Sequence, residues 1–195
     1  MQCSERGEDV SQCNGVREVG YFDCPGGGQV VVDGSYAYIG HITGPEGTTI
    51  VDVGDPRNPR KVWECTVPAG LHSHKARAAN GVMLVNREVD GQAKDKGEGP
   101  LQGGLGIYDV SDPTNTREIG LWRCAGNGVH RFTFDGRYAY LSPCMEGYRN
   151  NIVVILDLAD PSKPEEVGRW WMPGQWVAGL SVQGILLRCR RWALA

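Results

Sequence analysis

The sequence predicts an all-β fold in which one four-stranded unit is repeated along the chain, as three full copies and a cut-short fourth. Three observations carry this. Thr49-Ile50-Val51-Asp52-Val53-Gly54-Asp55-Pro56, Gly106-Ile107-Tyr108-Asp109-Val110-Ser111-Asp112-Pro113 and Val154-Ile155-Leu156-Asp157-Leu158-Ala159-Asp160-Pro161 share an apolar run, an aspartate and then Asp-Pro. Ahead of each lies a hairpin signal, Asp33-Gly34, Asn80-Gly81 or Asp135-Gly136. Within the repeats no stretch keeps a helical period, and 28 Gly and 11 Pro are more than helices tolerate.

Each copy justifies four short strands in order. Gln29-Val30-Val31-Val32 is an apolar strand that meets the Asp33-Gly34 turn and returns as Tyr36-Ala37-Tyr38-Ile39, rich in the residues strands favour. The third strand runs from Thr49 to Val53. Asp55-Pro56 ends it, because Asp accepts bonds from turn amides while Pro fixes φ and lacks a donor. A fourth strand begins near Arg60-Lys61-Val62. Arg17-Glu18-Val19-Gly20, Arg117-Glu118-Ile119-Gly120 and Glu165-Glu166-Val167-Gly168 open successive copies, and Asp33-Gly34-Ser35-Tyr36-Ala37-Tyr38 returns as Asp135-Gly136-Arg137-Tyr138-Ala139-Tyr140.

The expected organisation is an N-terminal segment 1–15, copies at 16–60, 61–116 and 117–164, and a partial copy at 165–176. Residues 177–195 lack the Asp-Gly-x-Tyr-Ala-Tyr hairpin and end in a basic, tryptophan-containing stretch, which reads as a truncated or frame-disrupted C-terminal tail. The Asp-Pro dipeptides lie 57 and then 48 residues apart, and four strands at that spacing make a β-propeller blade. The expectation is a partial β-propeller of three four-stranded blades plus an incomplete fourth. The run Asn151 to Leu156 reads as a strand buried on both faces, sandwiched between two other blades.

On these segments, Asn151 to Pro161 above all, the chain resembles the LVIVD-repeat family, named for an apolar run ending in Asp. The resemblance implies a β-propeller and assigns no activity. A closed ring takes about four to eight blades, so three and a half leave exposed edges open to self-association.

Net charge −3 offers no broad attraction to nucleic acid or anionic membrane. There is no membrane-length apolar run, and the start of the sequence has no basic-then-apolar export pattern. A cytoplasmic location is therefore the default, with a secreted or periplasmic one if an upstream signal is missing. The seven cysteines include no Cys-x-x-Cys pair. Cys24 and Cys124 recur at equal spacing as small apolar fillers, Cys3 and Cys13 form a candidate bridge in an oxidising compartment, and Cys144 is the candidate free thiol.

The chemical candidates are histidines. His72, His74 and His130 fall where the outer strand of one blade passes to the innermost strand of the next, on connections that open around a central channel. Alternate residues on a strand share a face, which aligns His72 with His74. Three neutral imidazoles suit copper, iron or zinc; the competing reading is that they bond backbone at loop ends. In architecture alone the arrangement is similar to the selenium-binding protein and methanethiol oxidase family, whose channel histidines are thought to bind copper, although none of that family's motifs occurs here. His41 reads as a surface residue, with the alternative that it joins a site with Glu46. Asp52, Asp109 and Asp157 recur in every copy and so serve the blade, not catalysis. The polar loop Glu88 to Gly104 lengthens the second copy, and Trp170, Trp171 and Trp176 read as inter-blade packing or a stacking surface.

Two functions follow: a scaffold that binds an unknown protein or small ligand, or a metal-dependent oxidoreductase using copper or iron at the channel histidines.

Overall fold

The computed structural model describes residues 15–91, 103–124 and 126–177. Segment 1–14, the tip of the second-copy loop (92–102) and residues 178–195 lie outside the described residues, and with them Cys3, Cys13 and nearly all of the atypical tail.

The described chain is all-β and forms a partial β-propeller of three four-stranded antiparallel units, called sheets 1 to 3, of which the second and third are hydrogen-bonded into one nine-stranded sheet. Sheet 1 contains β1 (Gly27–Asp33), β2 (Tyr36–His41), β3 (Glu46–Asp52) and β4 (Arg60–Thr66). A two-residue strand β5 (Leu71–His72) precedes sheet 2, which contains β6 (Ala76–Ala79), β7 (Val82–Val89), β8 (Gly104–Asp109) and β9 (Arg117–Arg123). Sheet 3 contains β10 (Gly128–Phe134), β11 (Tyr138–Cys144), β12 (Val153–Asp157) and β13 (Glu165–Trp170). The segments that open copies two, three and four in the sequence are β4, β9 and β13, the outer strands of these sheets.

The repeated residues do local work. In sheet 2, Asn80 and Gly81 both take positive φ, 53° and 75°, and close a two-residue loop between Ala79 and Val82. In sheet 3, Asp135 Oδ1 instead accepts from Arg137 N at 2.9 Å and Tyr138 N at 2.7 Å. After each third strand the recurring aspartate accepts an amide two residues on: Gly54 N to Asp52 at 2.9 Å, Ser111 N to Asp109 at 3.0 Å and Ala159 N to Asp157 at 2.9 Å. The aspartate of each Asp-Pro does the same for Arg57, Thr114 and Ser162, at 3.0 Å in each case. These carboxylates are absorbed by turns, as their recurrence implies.

Stacking buries what each sheet cannot bury alone. Tyr38 and Ile50 of sheet 1 meet Met83, Val85 and Tyr108 of sheet 2, while Leu84, Leu105 and Ile107 meet Val129, Phe132, Leu141, Val154 and Leu156 of sheet 3. Met83 and Leu84 are adjacent on β7, point to opposite sides, and are both fully buried. Sheet 2 is thus the sandwiched sheet. The run Asn151–Leu156 departs from expectation: Val154 and Leu156 are fully buried, but Val153 and Ile155 are only half-buried, because no sheet covers the other face of sheet 3 among the described residues. Tyr140, Val167 and Trp170 are exposed at that end. Trp171 packs edge-on against Tyr148 and Trp176, with centroids 5.2 Å and 6.2 Å away.

Candidate metal centre

The inner strands β1, β6 and β10 pack in succession, and the candidate site lies at the entry ends of β6 and β10. It is organised by β7. Leu84, Asn86 and Glu88 share one face of that strand; Leu84 enters the core between sheets 2 and 3, and Asn86 and Glu88 continue the face beyond it. β5 pairs with the end of β7 so that His72 stands opposite Glu88, and Gly128 of β10 pairs with the same residue. Lys75 N donates to Asn86 Oδ1 at 2.8 Å, and Asn86 Nδ2 donates to Val129 O at 3.1 Å, which fixes the His74 connection between the sheets.

All three predicted histidines converge on the Glu88 carboxylate. His72 Nε2 donates to Glu88 Oε2 at 3.0 Å; His130 Nδ1 donates to the same carboxylate, 3.0 Å and 3.1 Å from its two oxygens; His74 Nδ1 lies 3.9 Å from Oε2. Donor atoms of His72, His74 and Glu88 all fall within 4.8 Å of one another. The His72 and His74 rings meet edge-on with centroids 4.7 Å apart, and His130 lies 5.8 Å from His74. His72, His74 and Glu88 side chains are 19, 14 and 16% exposed, against 46% for His130, so the first three form the enclosed part and His130 the open side.

Burial, and then the Lys75 charge and His72, push the His74 imidazole down to about 4. Burial works to raise the Glu88 carboxyl, but hydrogen bonds from His72 and His130 outweigh it and hold it below the usual value. Burial, then Arg131, lowers the Lys75 ammonium, whose Nζ abuts His74 Nε2. Near neutral pH the site therefore presents a neutral His74 beside an ionised Glu88, the protonation states a metal ligand needs.

Sequence reasoning missed Glu88, which stands at the start of the polar loop, and missed Asn86 and Lys75. A signal existed: Asn86 and Glu88 are polar at alternate positions after the apolar run Val82–Val85, a face that turns from the core to the histidine cluster.

His41 is corrected. It is 2% exposed, not on the surface, because β2 tucks it between sheet 1 and the segment Phe22–Pro25. Its Nε2 lies 2.9 Å from Thr49 Oγ1 and 3.8 Å from Cys24 Sγ, and Nδ1 is buried without a partner. Glu46 lines the same cavity of about 250 Å³, together with Lys61 and Glu64. Cys24, Cys65, Cys124 and Cys144 are free thiols, and Cys124 is the buried one. No helix among the described residues is long and apolar enough to cross a membrane.

The family model of the LVIVD repeat matches residues 27–67 and 134–171, which are sheet 1 and most of sheet 3. No curated protein matches the chain.

Proposed function

We propose that this propeller-type protein of LVIVD repeats binds a divalent transition metal through His72, His74 and Glu88, with His130 on the open side. The observation that carries the reading is the convergence of imidazole nitrogens on one partly buried carboxylate, 3.0 to 3.9 Å from its Oε2. Metal bonds of about 2.0–2.2 Å to nitrogen and oxygen set neighbouring ligands roughly 3.0–3.6 Å apart, so little movement separates this arrangement from a coordination sphere. Two imidazoles and one carboxylate with a free position suit zinc or iron(II), and His130 adds a third imidazole that also suits copper.

A metal here would take the ring-nitrogen lone pairs of His72 and His130 in place of their present contacts with Glu88, each neutral imidazole carrying its proton on its other nitrogen. Bound iron or copper would supply the redox centre that an oxidoreductase needs; bound zinc would supply a Lewis acid. The residues of the chain fix ligand orientation: Asn86 ties the His74 connection to β10, and Lys75 occupies His74 Nε2, leaving Nδ1 toward the carboxylate.

Elemental analysis of the purified chain, followed by titration of the metal-stripped protein with Zn²⁺, Fe²⁺ and Cu²⁺, tests this. Stoichiometric binding that is lost in His72→Ala/His74→Ala supports it. Absence of metal in the parent together with no saturable uptake of any of the three overturns it, and leaves the scaffold reading, which is supported by the open face of sheet 3.

A further inference from the structure

Sheet 1 breaks the repeat at three polar residues that share one cavity. Counted from the Asp-Gly hairpins, His41 on β2 stands where β11 has Pro143. Thr49 on β3 faces Glu64 on β4, whereas the same places hold Gly106 opposite Leu121 in sheet 2 and Val154 opposite Arg169 in sheet 3. His41 and Thr49 are each 2% exposed. Burying polar groups opposes folding, and the other sheets form without them, so the blade does not require these residues.

The cavity they line, of about 250 Å³, lies between sheet 1 and Phe22–Pro25. That cover is tied down: Gly27 N donates to Cys24 O and Ile42 N donates to Gly26 O, each at 3.0 Å. Asp23, Glu46 and Glu64 bring three carboxylates against the single ammonium of Lys61, which is already paired with Glu64 at 2.9 Å. Among the described residues the Glu46 carboxylate has no hydrogen bond or ion pair. Burial, and then the Glu64 and Asp23 charges, push the Cys24 thiol up, with a hydrogen bond to Thr49 working against them. With His41 Nε2–H donating to Thr49 Oγ1 at 2.9 Å, Nδ1 keeps a lone pair that is buried without a partner. The lining is therefore negative and rich in unused acceptors. A bare metal ion does not fit it, because among the described residues only His72, His74 and Glu88 bring three donor atoms within 4.8 Å of one another.

We propose that this cavity, separate from the histidine cluster, binds a small organic cation whose charge is carried on N–H groups, an alkylammonium or alkylguanidinium. Its N–H donors satisfy the Glu46 carboxylate, and its alkyl stem lies against Phe22 and Pro25 at the cover. Such a ligand supplies what the lining lacks, positive charge and donors, whereas an anion meets three carboxylates. The volume equals that of about eight waters at ~30 Å³ each, which suits a short-chain amine and not a nucleotide or a sugar chain.

The test is alkylation of Cys24 by iodoacetamide in the full chain, followed by peptide mapping, because Cys24 lines the same cavity. Saturating butylammonium or butylguanidinium is expected to slow the labelling about fivefold or more, and calorimetric titration to give one site per chain. Glu46→Gln keeps the shape of the side chain, removes its charge, and is expected to weaken binding about tenfold. Tetramethylammonium, which has the charge without N–H donors, and butyrate, which has the stem without the cation, are expected to leave Cys24 labelling unchanged. Three results overturn the proposal: Cys24 labelling that neither N–H cation slows, equal protection by tetramethylammonium or butyrate, or unchanged affinity in a Glu46→Gln chain that melts like the parent.

Discussion

Truncating adjacent side chains on β7 and on β12 separates a sandwiched sheet from a terminal one. Met83 and Leu84 are each 0% exposed and face sheets 1 and 3 respectively, so Met83→Ala and Leu84→Ala each remove a buried side chain and leave a cavity; each is expected to cost about 3 kcal/mol. Leu156 is likewise 0% exposed against sheet 2, and Leu156→Ala is expected to cost a similar amount. Ile155, its neighbour, is half-buried and lies beside Gly168 of its own sheet. Removing about three methylenes that are half in water costs about 1 kcal/mol at 0.8 kcal/mol per buried methylene. Urea denaturation followed by circular dichroism reads all four variants against the parent. Equal losses for Ile155→Ala and Leu156→Ala would refute the open face of sheet 3. A loss near 1 kcal/mol for Met83→Ala would refute the stacking of sheet 1 on sheet 2.

Three further outcomes follow from the site and its surroundings. Glu88→Gln keeps the shape but removes the charge on which the imidazoles converge, so affinity for Zn²⁺ in a competition titration is expected to fall by about 100-fold or more, with His130→Ala costing less because that side chain is the exposed one; an unchanged affinity in Glu88→Gln removes the carboxylate from the ligand set. His74 is held neutral down to about pH 4, whereas the unfolded chain takes up a proton near its ordinary value of 6.5, so stability is complete above pH 6.5 and falls as pH drops from there towards 4. Below about 4.5 the depressed Glu88 adds to the loss. One proton gives at most about 1.4 kcal/mol per pH unit, reduced by roughly half for a partly solvated site, and urea midpoints at pH 7.0, 5.5 and 4.5 should show a slope that His74→Gln flattens; a parallel slope in that variant counts against the His74 assignment. Among the four described thiols, Cys124 is 6% exposed and pushed by burial up to about 11, so it should be the last alkylated by iodoacetamide in peptide mapping, and early labelling would contradict the closed core between sheets 2 and 3.

The architecture was largely legible in the sequence, since its signals are local. The hairpin at Asn80-Gly81 needs two residues of positive φ, and the Asp-Pro turns need a side-chain acceptor beside a fixed φ; both are written in neighbouring residues. Apolar runs ending in Asp marked β3, β8 and β12 for the same reason. The site was legible only in its histidines. Glu88 stood in the sequence as the first residue of a polar loop, and its alternation with Asn86 after Val82–Val85 marks a polar face but not the imidazoles that meet it from distant segments.

What the sequence determined by itself was the unit: four strands, their turns and their order, because each is marked by residues adjacent in the chain. Tertiary structure alone decided which faces are buried and which residues meet. The runs Val82–Val85 and Val153–Leu156 look alike as sequence, yet one lies between two sheets and the other beside only one. His41 went from presumed surface to core because Phe22–Pro25 folds over it, and His130 reached Glu88 across 42 residues of chain. Burial and convergence depend on how sheets stack, and stacking is set by the summed apolar area of distant strands, which no local pattern records.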